Sequence, residues 1–252
     1  MAETRTALPG GLGSTLRRDS WWQEILPVAI VFGGFGIYAT VRAFEGKFFE
    51  SGPYLSPFYS PLIDPQHHWW PLSPALLILI FPLGFRTTCY YYRKAYYRAF
   101  FLDPPACAVG EPAWRRNYRG ETRFPFILQN VHRYFLYAAI LFLVFLWYDA
   151  IRAFWFDGSF GIGVGTLVLL ANISLLTLYV FSCHSLRHLV GGKLDCFSCT
   201  AFNKTRHGAW KKTSLLNERH MLFAWLSLFS VALADLYVRL LATGAIKDLR
   251  IL

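Results

Sequence analysis

The sequence predicts an all-α membrane protein: a bundle of five transmembrane helices with the N-terminus in the cytoplasm and the C-terminus outside. Three observations predict it. The chain has 252 residues, of which 55% are hydrophobic, 18% aromatic and 16% charged, where a soluble domain carries about 25% charged residues. Its apolar residues gather in five runs close to the ~20 residues that cross a hydrocarbon core, and the mean hydropathy is +0.34. The basic residues, finally, fall in alternate loops, which is a topology signal. The formal charge of +10 raises nucleic acid as a partner. No groove-reading motif accompanies it and the charge follows the loops, so no nucleic-acid partner is expected.

The whole chain, 1–252, reads as a single transmembrane domain. The first 19 residues are polar and Gly-rich, with Arg5, Arg17 and Arg18. They lack the apolar core of a signal peptide, so the first span is expected to be retained. Five helices follow, at about 25–44, 72–97, 126–152, 162–188 and 215–241. The second is interrupted by Arg86, which either snorkels or faces the bundle interior. Loop 45–71 sets Lys47 against Glu45, Glu50 and Asp64, and loop 153–161 has no Lys or Arg. The run 86–125 carries Arg86, Arg93, Lys94, Arg98, Arg115, Arg116, Arg119 and Arg123, and 187–214 carries Arg187, Lys193, Lys204, Arg206, Lys211 and Lys212. The positive-inside rule puts loops 98–125 and 189–214 in the cytoplasm. Their basic character suits a partner subunit or acidic lipid headgroups. Trp21, Trp22, Trp69, Trp70, Trp147, Trp155 and Trp210, with Tyr90–Tyr92, read as interfacial belts. His67 and His68 belong to the same outer rim.

Residues 183–220 hold three of the five cysteines and four of the seven histidines. His184 and His188 are four apart, on one face of a helix, and Gly191-Gly192 ends that helix. Cys196 and Cys199 form a CxxC in the next loop. His220 is expected about one and a half turns into helix five, at the depth of His184. Two thiolates with imidazoles suit zinc or a Rieske-type [2Fe–2S] cluster. The preferred ligands are Cys196 and Cys199 with two of His184, His188 and His220. The CxH…CxxH spacing of soluble Rieske domains is absent. A reduced thiol pair and a structural zinc knuckle are the competing uses of the CxxC. Ionisable groups inside a membrane are costly, which favours a functional role for the histidines. Cys183 reads as a small packing residue.

His132, about two turns into helix three, is expected at the same depth. Paired with His184 or His220 it would suit haem b, the alternative cofactor; alone it would serve as a hydrogen-bonded helix histidine or a donor to a quinone carbonyl. His132, Arg133, Trp210 and Arg219 are the quinone-binding candidates. Asp235 and Arg239, one turn apart deep in helix five, read as an ion pair shielded from lipid.

The stretches CHSLRHLVGG, DCFSC, QNVHRYFLY and LNERHMLFAWLSLFSVALADLYVRLL resemble the membrane-anchor subunit of actinobacterial-type succinate dehydrogenases. The resemblance covers most of helices three to five; the N-terminal third matches in topology. It implies an integral, polytopic protein of the bacterial plasma membrane, in complex with a flavoprotein subunit and an iron–sulfur subunit on the cytoplasmic face. Electrons from succinate would reach membrane quinone, with no catalysis by this chain alone. The better-known anchors hold haem b between helix histidines and lack a CxxC beside them, and that departure raises the cluster reading.

Overall fold

The computed structural model describes residues 20, 22–63, 72–100, 126–192 and 194–252. The expectations resting on the N-terminal arm, Trp21, Asp64, His67–Trp70, the basic residues between 101 and 125 and Lys193 lie outside the described residues. The chain divides into two units, one of residues 1–38 with 87–130, the other of 39–86 with 131–252.

The described residues are almost wholly helical. Helix α1 spans Trp22–Glu45, α2 Ala75–Thr88, α3 Tyr90–Phe100, α4 His132–Arg152 and α5 Val164–Phe181. Helix α6 spans His184–Gly191, α7 Ala201–Asn217 and α8 His220–Ala242. Two short antiparallel hairpins, Glu50–Ser51 with Tyr54–Leu55 and Trp155–Phe156 with Ser159–Phe160, and two 3-10 turns, Pro57–Tyr59 and Phe126–Val131, accompany them. Helices α1, α4, α5 and α8 are long and apolar enough to cross a membrane, and α2 with α3 qualifies only as a pair broken at Cys89. The chain is thus an all-α protein with the build of a membrane anchor.

Several apolar runs are interrupted where a continuous helix is expected. The run 126–152 opens with a 3-10 turn, Phe126–Val131, so His132 is the first residue of α4 rather than two turns inside it. The run 162–188 breaks at Ser182–Cys183. There the Ser182 hydroxyl donates to Tyr179 O (2.9 Å) and the Asn217 amide donates to Ser182 O (2.7 Å). That carbonyl would otherwise accept from the next turn of helix, and losing it to a side chain ends the ladder. The segment 189–214 carries α7, and a turn at Glu218–Arg219 makes His220 the first residue of α8.

In the larger unit, the core is the seam between α5 and α8. Leu169, Ile173 and Val180 of α5 are buried with Ala224, Leu228, Val231, Ala234 and Val238 of α8. The α8 set follows the 3–4 residue spacing of one helix face. At the C-terminal end of α8 the seam is closed by charge. Arg42 and Asp235 are both 0% exposed, and Arg42 Nε donates to Asp235 Oδ2 at 2.8 Å. Arg42 also binds the Glu45 carboxylate and donates to the carbonyls of Lys47 and Phe48 (3.2 Å each). The Ser56 hydroxyl donates to Asp235, and Arg239 donates to Glu45 at 3.1 Å. The i, i+4 pair expected between Asp235 and Arg239 is therefore replaced by a chain, Asp235–Arg42–Glu45–Arg239. Its two middle members come from α1, which the sequence spacing cannot show.

The C-terminal segment folds back on the same end. Asp248 accepts from Tyr54 OH and Tyr237 OH (2.6 Å each) and from Gly165 N (3.0 Å), which places a carboxylate at the N-terminus of α5. Burial, with the Asp248 carboxylate beside it, pushes the Tyr54 hydroxyl up to about 12. A Cβ at Gly163 would collide with the Asp248 carboxylate and the Tyr54 hydroxyl, which would have to shift to admit it.

In the smaller unit, Phe32 packs on Tyr92 with centroids 5.7 Å apart. Arg98 and Glu24 form an exposed ion pair at 3.1 Å, of a kind worth about 0–1 kcal/mol.

Candidate functional site

His132, Cys183 and His220 meet around the N-terminal end of α8 as an inner layer; the other described histidines and the CxxC belong to an outer layer, the α6–α7 hairpin. The inner layer is a ladder of rings. His132 stacks on Phe85 (4.7 Å), Phe85 meets Tyr179 edge-on (5.3 Å), and Tyr179 stacks on His220 (5.2 Å). His132 Nε2 lies 3.2 Å from Cys183 Sγ, and His220 Nδ1 lies 2.7 Å from Ser182 Oγ. Phe85, Tyr179, Ser182, Cys183 and His220 are all buried. Arg86 resolves the question its sequence position raises: it faces inward. It donates to Ser227 Oγ (3.2 Å) and Ala224 O (3.4 Å) and lies over the Tyr179 ring (4.9 Å). A guanidinium in an apolar span is tolerated when hydrogen bonds and a π-face surround it.

The outer layer is the hairpin of α6 and α7. Arg187 ties the two helices, donating to Ser214 Oγ (2.9 Å) and lying over the Trp210 ring (5.0 Å). Arg206 donates to the carbonyls of Val190 and Gly192 (2.9 Å each), satisfying the end of α6. Gly191 meets the Trp210 indole where a Cβ would collide with it. With the hairpin fixed, His184 and His188 share an exposed face, their Nε2 atoms 3.0 Å apart. Partial burial, then the positive fields of His188 and Arg187, hold His184 below the ordinary imidazole value.

Cys196 and Cys199 are disulfide-bonded, with Cα atoms 5.7 Å apart. The loop that holds them is anchored to α7. Asn203 donates to Cys196 O (2.9 Å), and Thr200 caps the helix by accepting from Asn203 N (3.1 Å). One turn further on is His207, whose ring lies 4.4 Å from Phe197, between the two cysteines, and stacks on Trp210 at 5.7 Å. Its Nδ1 is buried with no hydrogen-bond partner among the described residues. The ligand pattern in the sequence passes over His207. No spacing in the sequence marks it: its tie to the CxxC loop comes through Phe197 and through Asn203, one turn before it, both contacts of the fold.

The expected metal ligands thus fall into pairs. His184 is with His188, and Cys196 with Cys199, while His220 is held by Ser182 and Tyr179 in the inner layer. Among the described residues no group of three or more His, Cys, Asp or Glu side chains is arranged to hold a metal ion. A haem between His132 and His220 does not fit this arrangement, because the rings of Phe85 and Tyr179 stand between the two imidazoles. The quinone-binding candidates lie on three elements. His132 and Arg133 open α4, Trp210 sits between Arg187 and His207 on α7, and Arg219 precedes α8. Arg133 and Arg219 are exposed.

The comparisons with known proteins agree with the resemblance. A family model described as actinobacterial succinate dehydrogenase subunit SdhC matches residues 23–244. A solved structure described as the Mycobacterium smegmatis Sdh1 complex in the apo form contains a chain 45% identical to this one. The similarity covers 100% of this chain and 98% of that chain, with a TM-score of 0.83. No curated protein matches.

Proposed function

The chain belongs to the actinobacterial succinate dehydrogenase SdhC family, and from that premise we propose that it is the membrane-anchor subunit of a succinate:quinone oxidoreductase. Its partners are a flavoprotein subunit that oxidises succinate and an iron–sulfur subunit on the cytoplasmic side. It sits in the bacterial plasma membrane as a single domain of five spans, counting α2 with α3 as one, with the N-terminus inside and the C-terminus outside. The chain itself carries out no catalysis; it provides the path from the iron–sulfur subunit to quinone.

The finer reading is a Rieske-type [2Fe–2S] centre at the α6–α7 hairpin. The observation that carries it is the 3.0 Å approach of the His184 and His188 Nε2 atoms on the hairpin that also holds the CxxC. Two imidazoles on one tetrahedral metal ion, each ~2.0–2.1 Å from it, stand roughly 3.3 Å apart. The two histidines are already near that separation. The donors are of the right kind, two imidazoles and two sulfurs that ligate once reduced to thiolates. We assign them as His184, His188, Cys196 and Cys199, which would hold the cluster once the Cys196–Cys199 bond is reduced and the two pairs, separate here, are brought together. His220 leaves the set because Ser182 and Tyr179 engage it. Bound there, such a cluster would supply one-electron transfer between the iron–sulfur subunit and quinone.

The chain's own residues do the rest. The inner ring ladder fills the space behind the hairpin with buried side chains and keeps water out of it. Arg86 brings positive charge to that layer. Arg187, Arg206 and Gly191 fix α6 against α7, which sets the direction of the two imidazoles. His132, Arg133, Trp210 and Arg219 are the groups proposed to meet the quinone head.

The test separates the two half-reactions. A His184→Ala, His188→Ala variant of the assembled complex is expected to lose succinate:quinone reduction and to keep succinate oxidation by an artificial soluble acceptor. Quinone reduction at the normal rate in that variant contradicts the assignment.

A further inference from the structure

Helix α7 has two faces of opposite character. Arg206, His207, Trp210, Thr213, Ser214 and Asn217 lie on the side that packs against α6 and α5. On the opposite side, at i, i+4, i+7, i+8 and i+11, are Lys204, Gly208, Lys211, Lys212 and Leu215, which share one face of a helix. The three lysines are exposed, Leu215 is 67% exposed, and a Cβ at Gly208 would meet nothing within 4 Å. The helix contains no Asp or Glu, so nothing on α7 neutralises the stripe.

The position of this face limits what can lie against it. Leu215 is five residues before His220, where α8 begins, and an extended chain of that length spans at most ~18 Å. The C-terminal end of the face, at Leu215, therefore lies beside the boundary at which α8 enters the membrane. Here an exposed leucine stands in line with Lys204 and Lys211, which is the pattern of a helix lying in the headgroup layer, with lysines at the phosphates and an apolar side chain below them.

We propose that this face of α7 binds the phosphates of anionic phospholipids, with Lys204, Lys211 and Lys212 as the cations and Leu215 inserted beside the acyl chains. The proposal rests on the reading that the α6–α7 hairpin is on the cytoplasmic side, where the leaflet is anionic. It is independent of which cofactor the hairpin holds.

The test is native mass spectrometry of the purified complex exchanged into equal mixtures of phosphatidylglycerol and phosphatidylcholine. The wild-type complex is expected to retain phosphatidylglycerol in preference, and the preference should collapse in 0.5 M salt, where exposed charges are screened. A Lys204→Glu, Lys211→Glu, Lys212→Glu variant is expected to lose the preference by about tenfold or more, with its subunit composition and quinone reduction unchanged. No preference in the wild-type complex overturns the proposal, with no variant needed. So does a variant that keeps its lipid while a soluble subunit dissociates, since the face would then be a protein interface. Loss of quinone reduction by the histidine variant described above, with lipid retention intact, bears on the cofactor alone.

Discussion

The two ends of α8 solve opposite problems with the same kind of material. At the C-terminal end, Arg42, Glu45, Asp235 and Arg239 form a neutral, mutually satisfied chain, with Arg42 and Asp235 sealed from solvent at 0% exposure each. At the N-terminal end, histidines, cysteines and aromatic rings are layered, and the outer layer stays exposed. A closed ionic cluster holds segments together and does little chemistry, because every charge already has its partner. An open layer of imidazoles beside a disulfide gives up that closure, and its sulfurs become donors once the disulfide is reduced. The difference separates a clasp from a site, and each end should fail in its own way when altered.

The largest effect is expected at the clasp. Arg42→Ala leaves Asp235 buried without its cation and Glu45 with Arg239 alone, which costs about 3–5 kcal/mol. The variant should assemble poorly and show a sharp fall in thermal stability. Replacing both members, as Arg42→Met with Asp235→Leu, removes the stranded charge and should be milder than either single change. A double variant worse than Arg42→Ala would show that the cluster does more than hold α1 to α8.

Next comes the packing of the hairpin. Gly191→Ala sets a methyl against the Trp210 ring, an overpacking worth roughly 1–3 kcal/mol. It should separate α6 from α7, reduce quinone reduction and leave the clasp intact. Hydrogen exchange should then quicken in 184–217 and stay unchanged in 227–242.

Smaller still is Thr200→Ala, which removes the cap on α7 and costs about 1 kcal/mol. Exchange should rise in the first turn of α7 only. The clasp end should also show an alkaline limit. The Tyr54 hydroxyl titrates at about 12 in the folded chain, against about 10 for an ordinary tyrosine. Its contribution is therefore complete below pH 10 and lost as pH rises through 12. Tyr54→Phe should flatten the thermal-stability profile in that window.

How legible each end was in the sequence follows the same division. The spans were legible because lipid demands long apolar runs, and α1, α4, α5 and α8 stand where such runs are. The breaks at Ser182–Cys183 and Glu218–Arg219 were not, because they depend on Asn217 taking the carbonyl of Ser182 across 35 residues. The pairing of His184 with His188 was legible from their spacing, since helical neighbours four apart must meet. The separation of His220 from them was not, because it follows from the turn that starts α8 at that residue. Nor was the partner of Asp235: Arg239 is its neighbour in sequence, but Arg42 reaches it from 193 residues away. Local periodicity reads along one helix, and contacts between helices are where it stops.

The proposed function stands on a redox centre at the α6–α7 hairpin. The most direct measurement is low-temperature EPR, with metal analysis, on the dithionite-reduced complex and on its Cys196→Ala, Cys199→Ala variant. A Rieske-like signal of low average g is expected in the first, lost in the second while the signals of the iron–sulfur subunit persist. An unchanged spectrum, with one zinc per chain lost in the variant, would contradict it and make the CxxC a structural knuckle.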